Sequence, residues 1–127
     1  MKKTGLIAVL GLCLAVPAHA DPVDGIWKTE PDKGTYYHVK LAPCGANVCG
    51  TIMRVFNGVG EIKSQDVGTQ MVWEMRPEGG GAYMDGKIRR PSTGKVYNSK
   101  MTMNGDTLKV SGCIGPICKG QNWSRLK

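Results

Sequence analysis

The stretch KVYNSKMTMNGDTLKVSG, residues 95–112, alternates apolar and polar side chains on both sides of an Asn-Gly-Asp turn. A period of two gives a strand one apolar and one polar face, so residues 95–103 and 107–113 are predicted to form a hairpin. The face predicted to be buried carries Tyr97, Met101, Met103, Leu108 and Val110. An antiparallel sheet with a single packed face shows this pattern, and it indicates an all-β fold.

The rest of the chain continues the pattern of short strands separated by turns. Turn-forming sequences recur, such as PDKG at 31–34, PEGGG at 77–81 and PSTG at 91–94. They divide the chain into six further predicted strands, at residues 24–30, 35–42, 48–56, 70–76, 82–90 and 120–126. About eight antiparallel strands joined as a meander predict a small closed β-barrel, or a sandwich curled toward one. The longest connection, residues 57–69, is polar and is predicted to be a loop or flap.

The first twenty residues have the composition of a secretory signal peptide. Lys2 and Lys3 precede the apolar stretch GLIAVLGLCLAV, and Ala-His-Ala follows at 18–20. That order of charge, short apolar region and small residues predicts cleavage after Ala20. Residues 21–127 are then expected to form a single domain of ordinary size. They contain no second long apolar segment, so no transmembrane segment is expected after processing.

Cleavage leaves four of the five cysteines in two C-x4-C units, at Cys44, Cys49, Cys113 and Cys118. An even number of cysteines in an exported domain predicts two disulfides rather than zinc ligands or a redox pair. We favour Cys44–Cys49 and Cys113–Cys118, because each pair brackets four residues rich in turn formers, and a hairpin would bring the two β-carbons together. The crossed pairings remain open.

The two ends of the predicted domain share a feature with lipocalin-like barrels. Gly25 and Trp27 form a G-x-W in the first strand, and Trp123 and Arg125 form a W-x-R in the last. In such barrels the indole closes the floor and the arginine lies across it. A guanidinium gains energy by stacking on an indole face, so these four residues are predicted to close the barrel.

A closer resemblance covers nearly all of residues 21–127. GIWKT, CGANVCGTI, GKIRRPSTGKVYNSKMTMNGDTLKVSGC and GQNWSR occur in the order found in a bacterial exported family, domain of unknown function 2147. The chain departs from the family where Arg89 replaces a tyrosine two residues before Pro91. The resemblance implies a lipocalin-like barrel in the periplasm, and it implies no activity.

Our leading functional hypothesis is a non-catalytic module that binds a small apolar or amphipathic ligand, or a periplasmic protein partner. We expect the ligand at the barrel mouth, and the candidate residues are Met71, Trp73, Met75, Tyr97, Met101 and Met103. A second hypothesis is a carrier of copper(I) or silver(I), in which Met101 and Met103 supply soft thioether ligands and His38 completes the set. A third is a structural or inhibitory protein that acts through its surface.

Other classes of function find little support in the sequence. His38 is the only histidine in residues 21–127, and the carboxylates show no paired spacing, so we expect no enzyme. The net charge of the chain is +7, which favours anionic partners, but an exported chain without a nucleic-acid-binding motif is not expected to bind nucleic acid. No motif indicates a cofactor.

Overall fold

The computed structural model describes residues 21–127, and the predicted signal peptide lies outside them. Regular structure in this part of the chain consists of antiparallel strands. Their bounds are β1 Gly25–Lys28, β2 Tyr36–Cys44, β3 Asn47–Asn57, β4 Gly60–Ile62, β5 Gln70–Gly79, β6 Ala82–Arg89, β7 Val96–Asn104, β8 Thr107–Ile114 and β9 Ile117–Arg125. The all-β fold predicted from the alternation is confirmed, and the predicted strands agree with these bounds to within a few residues at most ends.

The sheet closes on itself. β1 pairs with both β2 and β9, β2 pairs with β3, and the chain of pairings continues through β5, β6, β7 and β8. These eight strands form the barrel predicted from the sequence, while β4 folds back on the end of β3 as a short hairpin. Closure satisfies the backbone groups that an open sheet would leave exposed at its edges.

Alternation along the strands fills the interior of the barrel. In β2, Tyr37, Val39 and Leu41 are buried, while Lys40 between them is exposed. In β7, Ser99 and Met101 are buried, and Met101 lies opposite Tyr83 of β6 and Val110 of β8. The hairpin at residues 95–113 therefore has the inward and outward faces that its sequence predicts.

A pair of irregularities in β5 and β6 breaks the alternation. Glu74 and Asp85 have left-handed backbone, with φ of 56° and 61°, and the ladder between β5 and β6 is interrupted beside them. Val72 and Met75 are both fully buried as a result. A β-carbon on Gly86 would collide with the sulfur of Met75, so the glycine leaves room for this side chain in its buried position.

One end of the barrel, which we call the floor, is closed by aromatic rings. Trp27 and Trp123 are fully buried, and the indole nitrogen of Trp27 donates a hydrogen bond of 2.9 Å to the carbonyl of Val23. The guanidinium of Arg125 lies 4.4 Å from the Trp27 ring centre and donates to the carbonyls of Asp24 and Pro22, at 3.0 and 2.7 Å. Gly25 has φ of 137°, and a β-carbon there would collide with the carbonyl of Lys127.

The opposite end, which we call the mouth, is formed by four connections. They are residues 29–35, 58–69, 90–95 and 115–116, as the directions of the nine strands require. The sulfurs of Cys44 and Cys49 lie at bonding distance at the floor, and those of Cys113 and Cys118 lie at bonding distance at the mouth. Each pair joins the two strands of one hairpin, and these are the pairings favoured above.

Candidate ligand-binding site at the barrel mouth

The interior contains a cavity at the mouth, whereas the floor is filled. The cavity has a volume of about 550 Å³ and opens between the connections at residues 29–35, 90–95 and 115–116. This volume lies within the range of about 300–1,000 Å³ that is typical of sites for small organic molecules. Its apolar wall consists of Tyr37, Met71, Ile88, Tyr97 and Val110.

Two buried or half-buried polar side chains lie among the apolar ones. The hydroxyl oxygen of Thr29 accepts a 3.0 Å hydrogen bond from the backbone nitrogen of Tyr37. The side-chain oxygen of Gln121 accepts a 2.7 Å bond from the indole nitrogen of Trp123, which leaves the amide nitrogen of Gln121 available to a ligand. The deep part of the cavity can therefore supply at least one hydrogen-bond donor to a largely apolar molecule.

Tyr37 adds a neutral phenol to the wall. Burial raises the pKa of this phenol, and the negative charges of Asp66 and Asp32 raise it further, while Arg89 acts in the opposite direction. The group therefore stays protonated at neutral pH. A phenol offers an aromatic face and a single polar tip, so it suits contact with an amphipathic ligand.

A polar latch joins two of the connections across the mouth. The guanidinium of Arg90 donates two hydrogen bonds to the carboxylate of Asp32, at 2.8 and 2.9 Å, and the hydroxyl of Ser92 donates a third at 3.0 Å. The hydrogen bond from Arg90 lowers the pKa of Asp32 to about 2, although partial burial opposes the shift. The latch ties the connection after β1 to the connection after β6 over one side of the opening.

Arg89, the neighbour of Arg90, holds a different connection. Its guanidinium donates to the hydroxyl of Thr69 at 2.8 Å and lies 3.5 Å from the carboxylate of Asp66. The sequence predicts a loop or flap at residues 57–69, and the structure adds the short strand β4 within them. Adjacent arginines in β6 and the following turn thus secure the mouth on two sides.

The other side of the opening is an apolar lip. Ile114 and Ile117 face each other across the tip of the β8–β9 hairpin and line the cavity, yet they are 70% and 73% exposed. Lys119 lines the opening beside them. The bond between Cys113 and Cys118 lies directly below these isoleucines and restrains the hairpin that carries them.

The structure places the six candidate binding residues in three different environments. Met71 and Tyr97 line the cavity. Met75 and Met101 are buried in the core, and Met103 is partly buried near the floor, where its sulfur lies 3.4 Å from the guanidinium of Arg125. Trp73 lies outside the barrel.

The outward position of Trp73 has a local cause. The sequence predicts that Met71, Trp73 and Met75 share one face, but the ladder of β5 shifts register near Val72 and again near the left-handed Glu74. Trp73 consequently pairs with Lys87 and is half-buried on the outer face. A non-glycine residue with left-handed backbone has no clear sequence signal, so the alternation of apolar and polar residues does not predict this shift.

His38 lies on the outer face of β2, in an aromatic cluster. Its ring centre is 4.4 Å from that of Phe56, which stacks on Tyr36 with ring centres 5.0 Å apart. Partial burial lowers the pKa of His38, and the nearby charges of Arg54 and Lys28 lower it further. Since Met101 is buried inside the barrel, the structure does not bring His38 and Met101 to one metal ion. Residues 21–127 contain no cluster of three or more His, Cys, Asp or Glu side chains suited to a metal.

Several residues of the mouth do not follow from the sequence. Thr29, Ile114 and Ile117 lie at or beside the ends of strands, where alternation no longer distinguishes inner from outer positions. Gln121 lies in the middle of β9, where its inward position follows from its pairing with Val110. The Asp32–Arg90 contact joins residues 58 apart in sequence and depends on closure of the barrel. The sequence does carry one signal for the apolar lip: in CIGPIC, residues 113–118, two isoleucines flank the Gly-Pro turn.

Comparisons with known proteins agree with this architecture. The family model described as an uncharacterized protein conserved in bacteria, DUF2147, matches residues 25–125. Protein HP1028 from the human pathogen Helicobacter pylori, described as belonging to the lipocalin family, superposes with a TM-score of 0.70 at 18% identity, covering 85% of each chain. No curated protein matches the chain significantly. Within residues 21–127, the structure has no helix long and apolar enough to cross a membrane.

Proposed function

Because the chain belongs to the bacterial family of uncharacterized proteins DUF2147 and folds as a lipocalin-like barrel, we propose that it is a non-catalytic module that binds a small apolar or amphipathic ligand. The observation that carries the proposal is the cavity of about 550 Å³ at the mouth, above a floor filled by Trp27 and Trp123. An eight-stranded barrel can be packed throughout, and this one leaves space at a single end.

The composition of the cavity supports an apolar or amphipathic ligand. Tyr37, Met71, Ile88, Tyr97 and Val110 offer surface that gains free energy when a ligand displaces water, by about 25 cal/mol for each Å² of apolar area covered. The side chain of Met71 adapts its shape at low cost, which suits a site that accepts related molecules. Gln121 would orient the polar group of a ligand that reaches the deep end.

A binding role also accounts for the chemistry at the mouth. The carboxylate of Asp32 is engaged by Arg90 and Ser92, and Gln121 bonds to Trp123. The shifted pKa of Asp32 thus has a structural cause, and the shift in Tyr37 keeps a phenol neutral. These features support a site that holds a ligand without transforming it.

We place this function in the periplasm. The composition of residues 1–20 predicts export and cleavage after Ala20, and two cysteine pairs at bonding distance suit an oxidising compartment. Residues 21–127 would then be the mature single-domain barrel. N-terminal sequencing of protein recovered from a periplasmic extract tests this proposal, and a chain that still begins before Asp21 would contradict it.

The binding proposal is tested by filling the cavity from its own wall. Gly112 lines the cavity, and a β-carbon there would lie 3.4 Å from Ile88, an ordinary contact. Gly112→Leu therefore directs added carbon atoms into the open space. Protein freed of lipid by unfolding, washing and refolding would be titrated with the neutral dye N-phenyl-1-naphthylamine, whose fluorescence rises in apolar surroundings. We expect saturable binding, and a Kd at least tenfold weaker for Gly112→Leu.

The matched control is Met84→Leu, a side chain 37% exposed on the outer face of β6. It should leave both the dye Kd and the circular dichroism spectrum unchanged. The proposal is overturned if lipid-free protein shows no saturable binding, or if a folded Gly112→Leu variant binds the dye as tightly as the natural protein.

A further inference from the structure

Exposed apolar side chains are concentrated at one end of the barrel. Among residues 21–127, nine large apolar residues are clearly exposed, and six of them lie at the mouth. The six are Val59 (95% exposed), Ile62 (36%), Val67 (47%), Val96 (51%), Ile114 (70%) and Ile117 (73%). The floor contributes Leu126, and Met53 and Met84 lie on the sides. Single exposed apolar residues need no explanation, but a group at one end indicates an interaction surface.

These side chains lie in or directly beside three separate connections around the opening. Val59, Ile62 and Val67 belong to residues 58–69, Val96 begins β7, and the two isoleucines form the lip. Three of these residues have a lysine close by in the sequence: Lys63 follows Ile62, Lys95 precedes Val96, and Lys119 lies two residues after Ile117. Lysine beside an exposed apolar residue is the arrangement that lets the stem enter an apolar layer while the ammonium stays at a charged boundary.

The charges of the two ends differ in sign. The mouth carries eight cationic and four anionic side chains: Lys28, Lys33, Arg54, Lys63, Arg89, Arg90, Lys95 and Lys119 against Glu30, Asp32, Glu61 and Asp66. Three of these carboxylates are already paired with arginines. The floor has more acids than bases: Asp21, Asp24, Glu78, Asp85 and Asp106 against Arg76, Lys109, Arg125 and Lys127. An anionic surface would therefore attract the barrel with its mouth forward.

From the coincidence of apolar tips, lysines that form no ion pair within residues 21–127 and the cavity opening at one end, we propose that the mouth docks on the surface of an anionic lipid bilayer. Ile114 and Ile117 enter the boundary between headgroups and acyl chains, and Lys95 and Lys119 contact lipid phosphates. Apolar insertion combined with electrostatic attraction is sufficient for reversible membrane binding. Docking in this orientation points the opening of the cavity at the membrane.

A bilayer fits these residues better than a protein partner does. The apolar side chains lie in or beside three connections around an opening, with lysines close to three of them in the sequence. The core of a protein interface is instead a contiguous patch depleted of charge. The disulfide below Ile114 and Ile117 restrains their hairpin, so little ordering entropy is lost when they insert.

The test is flotation with vesicles of phosphatidylcholine, with and without about one third phosphatidylglycerol. We expect binding to the anionic vesicles that weakens when salt rises from about 50 to about 300 mM, because the Debye length shortens. The double variant Ile114→Ser/Ile117→Ser should bind at least tenfold more weakly. Neutralising Lys95 and Lys119 by glutamine should weaken binding about fivefold for each residue.

The control changes charge and apolar area elsewhere on the surface. Met84→Ser/Lys100→Gln removes one exposed methionine and one exposed lysine from the side of the barrel and should leave vesicle binding unchanged. Absence of flotation with anionic vesicles overturns the proposal, as does equal loss of binding in this side variant. Since the assay requires no ligand in the cavity, its failure leaves the dye-binding result untouched.

Discussion

Substitution of Met101 tests whether the buried methionines stabilise the core or bind the ligand. Its side chain is 1% exposed and lies between Tyr83 of β6 and Val110 of β8, below the cavity. Met101→Ala would remove the buried thioether and leave a hole that the rigid strands fill only in part. Substitutions of this kind cost about 2–5 kcal/mol of unfolding free energy. We expect about 3 kcal/mol here, because the closed barrel restricts relaxation.

The conservative variant Met101→Leu keeps most of the volume. Its cost should stay below about 1.5 kcal/mol, since volume-conserving exchanges are well tolerated in cores. Urea unfolding followed by tryptophan fluorescence measures both variants, and the slope of free energy against urea should match that of the natural protein. The Kd for N-phenyl-1-naphthylamine, measured by titration, then shows whether Met101 contacts the ligand.

The two results together decide the role of the residue. A core role predicts a large loss of stability for Met101→Ala and an unchanged dye Kd for Met101→Leu. A loss of stability below about 1 kcal/mol for Met101→Ala would refute the packing argument. A tenfold weaker dye Kd for a stable Met101→Leu variant would show that Met101 belongs to the binding site.

Three other features of the barrel give direct predictions. Because Arg90 lowers the pKa of Asp32, the latch should contribute its full stability above about pH 4 and lose it as the pH falls toward 2. Asp32→Asn should remove this pH dependence and lower the free energy of unfolding by about 1 kcal/mol at pH 7, a small loss because the group is partly exposed. Urea unfolding at several pH values measures both effects. Arg125→Met should destabilise the floor by about 1–3 kcal/mol in the same assay, through loss of the stacking on Trp27 and of its hydrogen bonds, and an unchanged midpoint would contradict that role. Non-reducing peptide mapping should recover Cys44 joined to Cys49, and a free thiol at either position would argue against the pairing.

The sequence predicts the barrel well because the physical cause of each strand is local. In β7, the spacing of Tyr97, Ser99 and Met101 reports directly which side chains face the interior. Turn-forming sequences at most connections limit the strands to lengths that suit a meander. Trp27 in the first strand and Trp123 in the last strand then indicate which end of the barrel is filled.

The binding site is less predictable because its geometry depends on strand register and closure. Alternation places Trp73 inside, but the left-handed backbone at Glu74 and the shift beside Val72 turn it outward. Gln121 becomes a wall residue because β8 and β9 place it opposite Val110. Such positions follow from pairing across the whole sheet and not from any short stretch of residues.

Nuclear magnetic resonance would show at which residues of the barrel a ligand binds. Lipid-free protein labelled with nitrogen-15 would be titrated with N-phenyl-1-naphthylamine while its backbone amide shifts are followed. Because the ligand is expected at the mouth, we expect the largest changes at residues of the cavity, such as Thr29, Tyr37, Gly112 and Gln121, with little change at the floor near Gly25 and Trp27. Changes centred on the outer aromatic cluster of Tyr36, His38 and Phe56, or on the floor, would contradict this expectation.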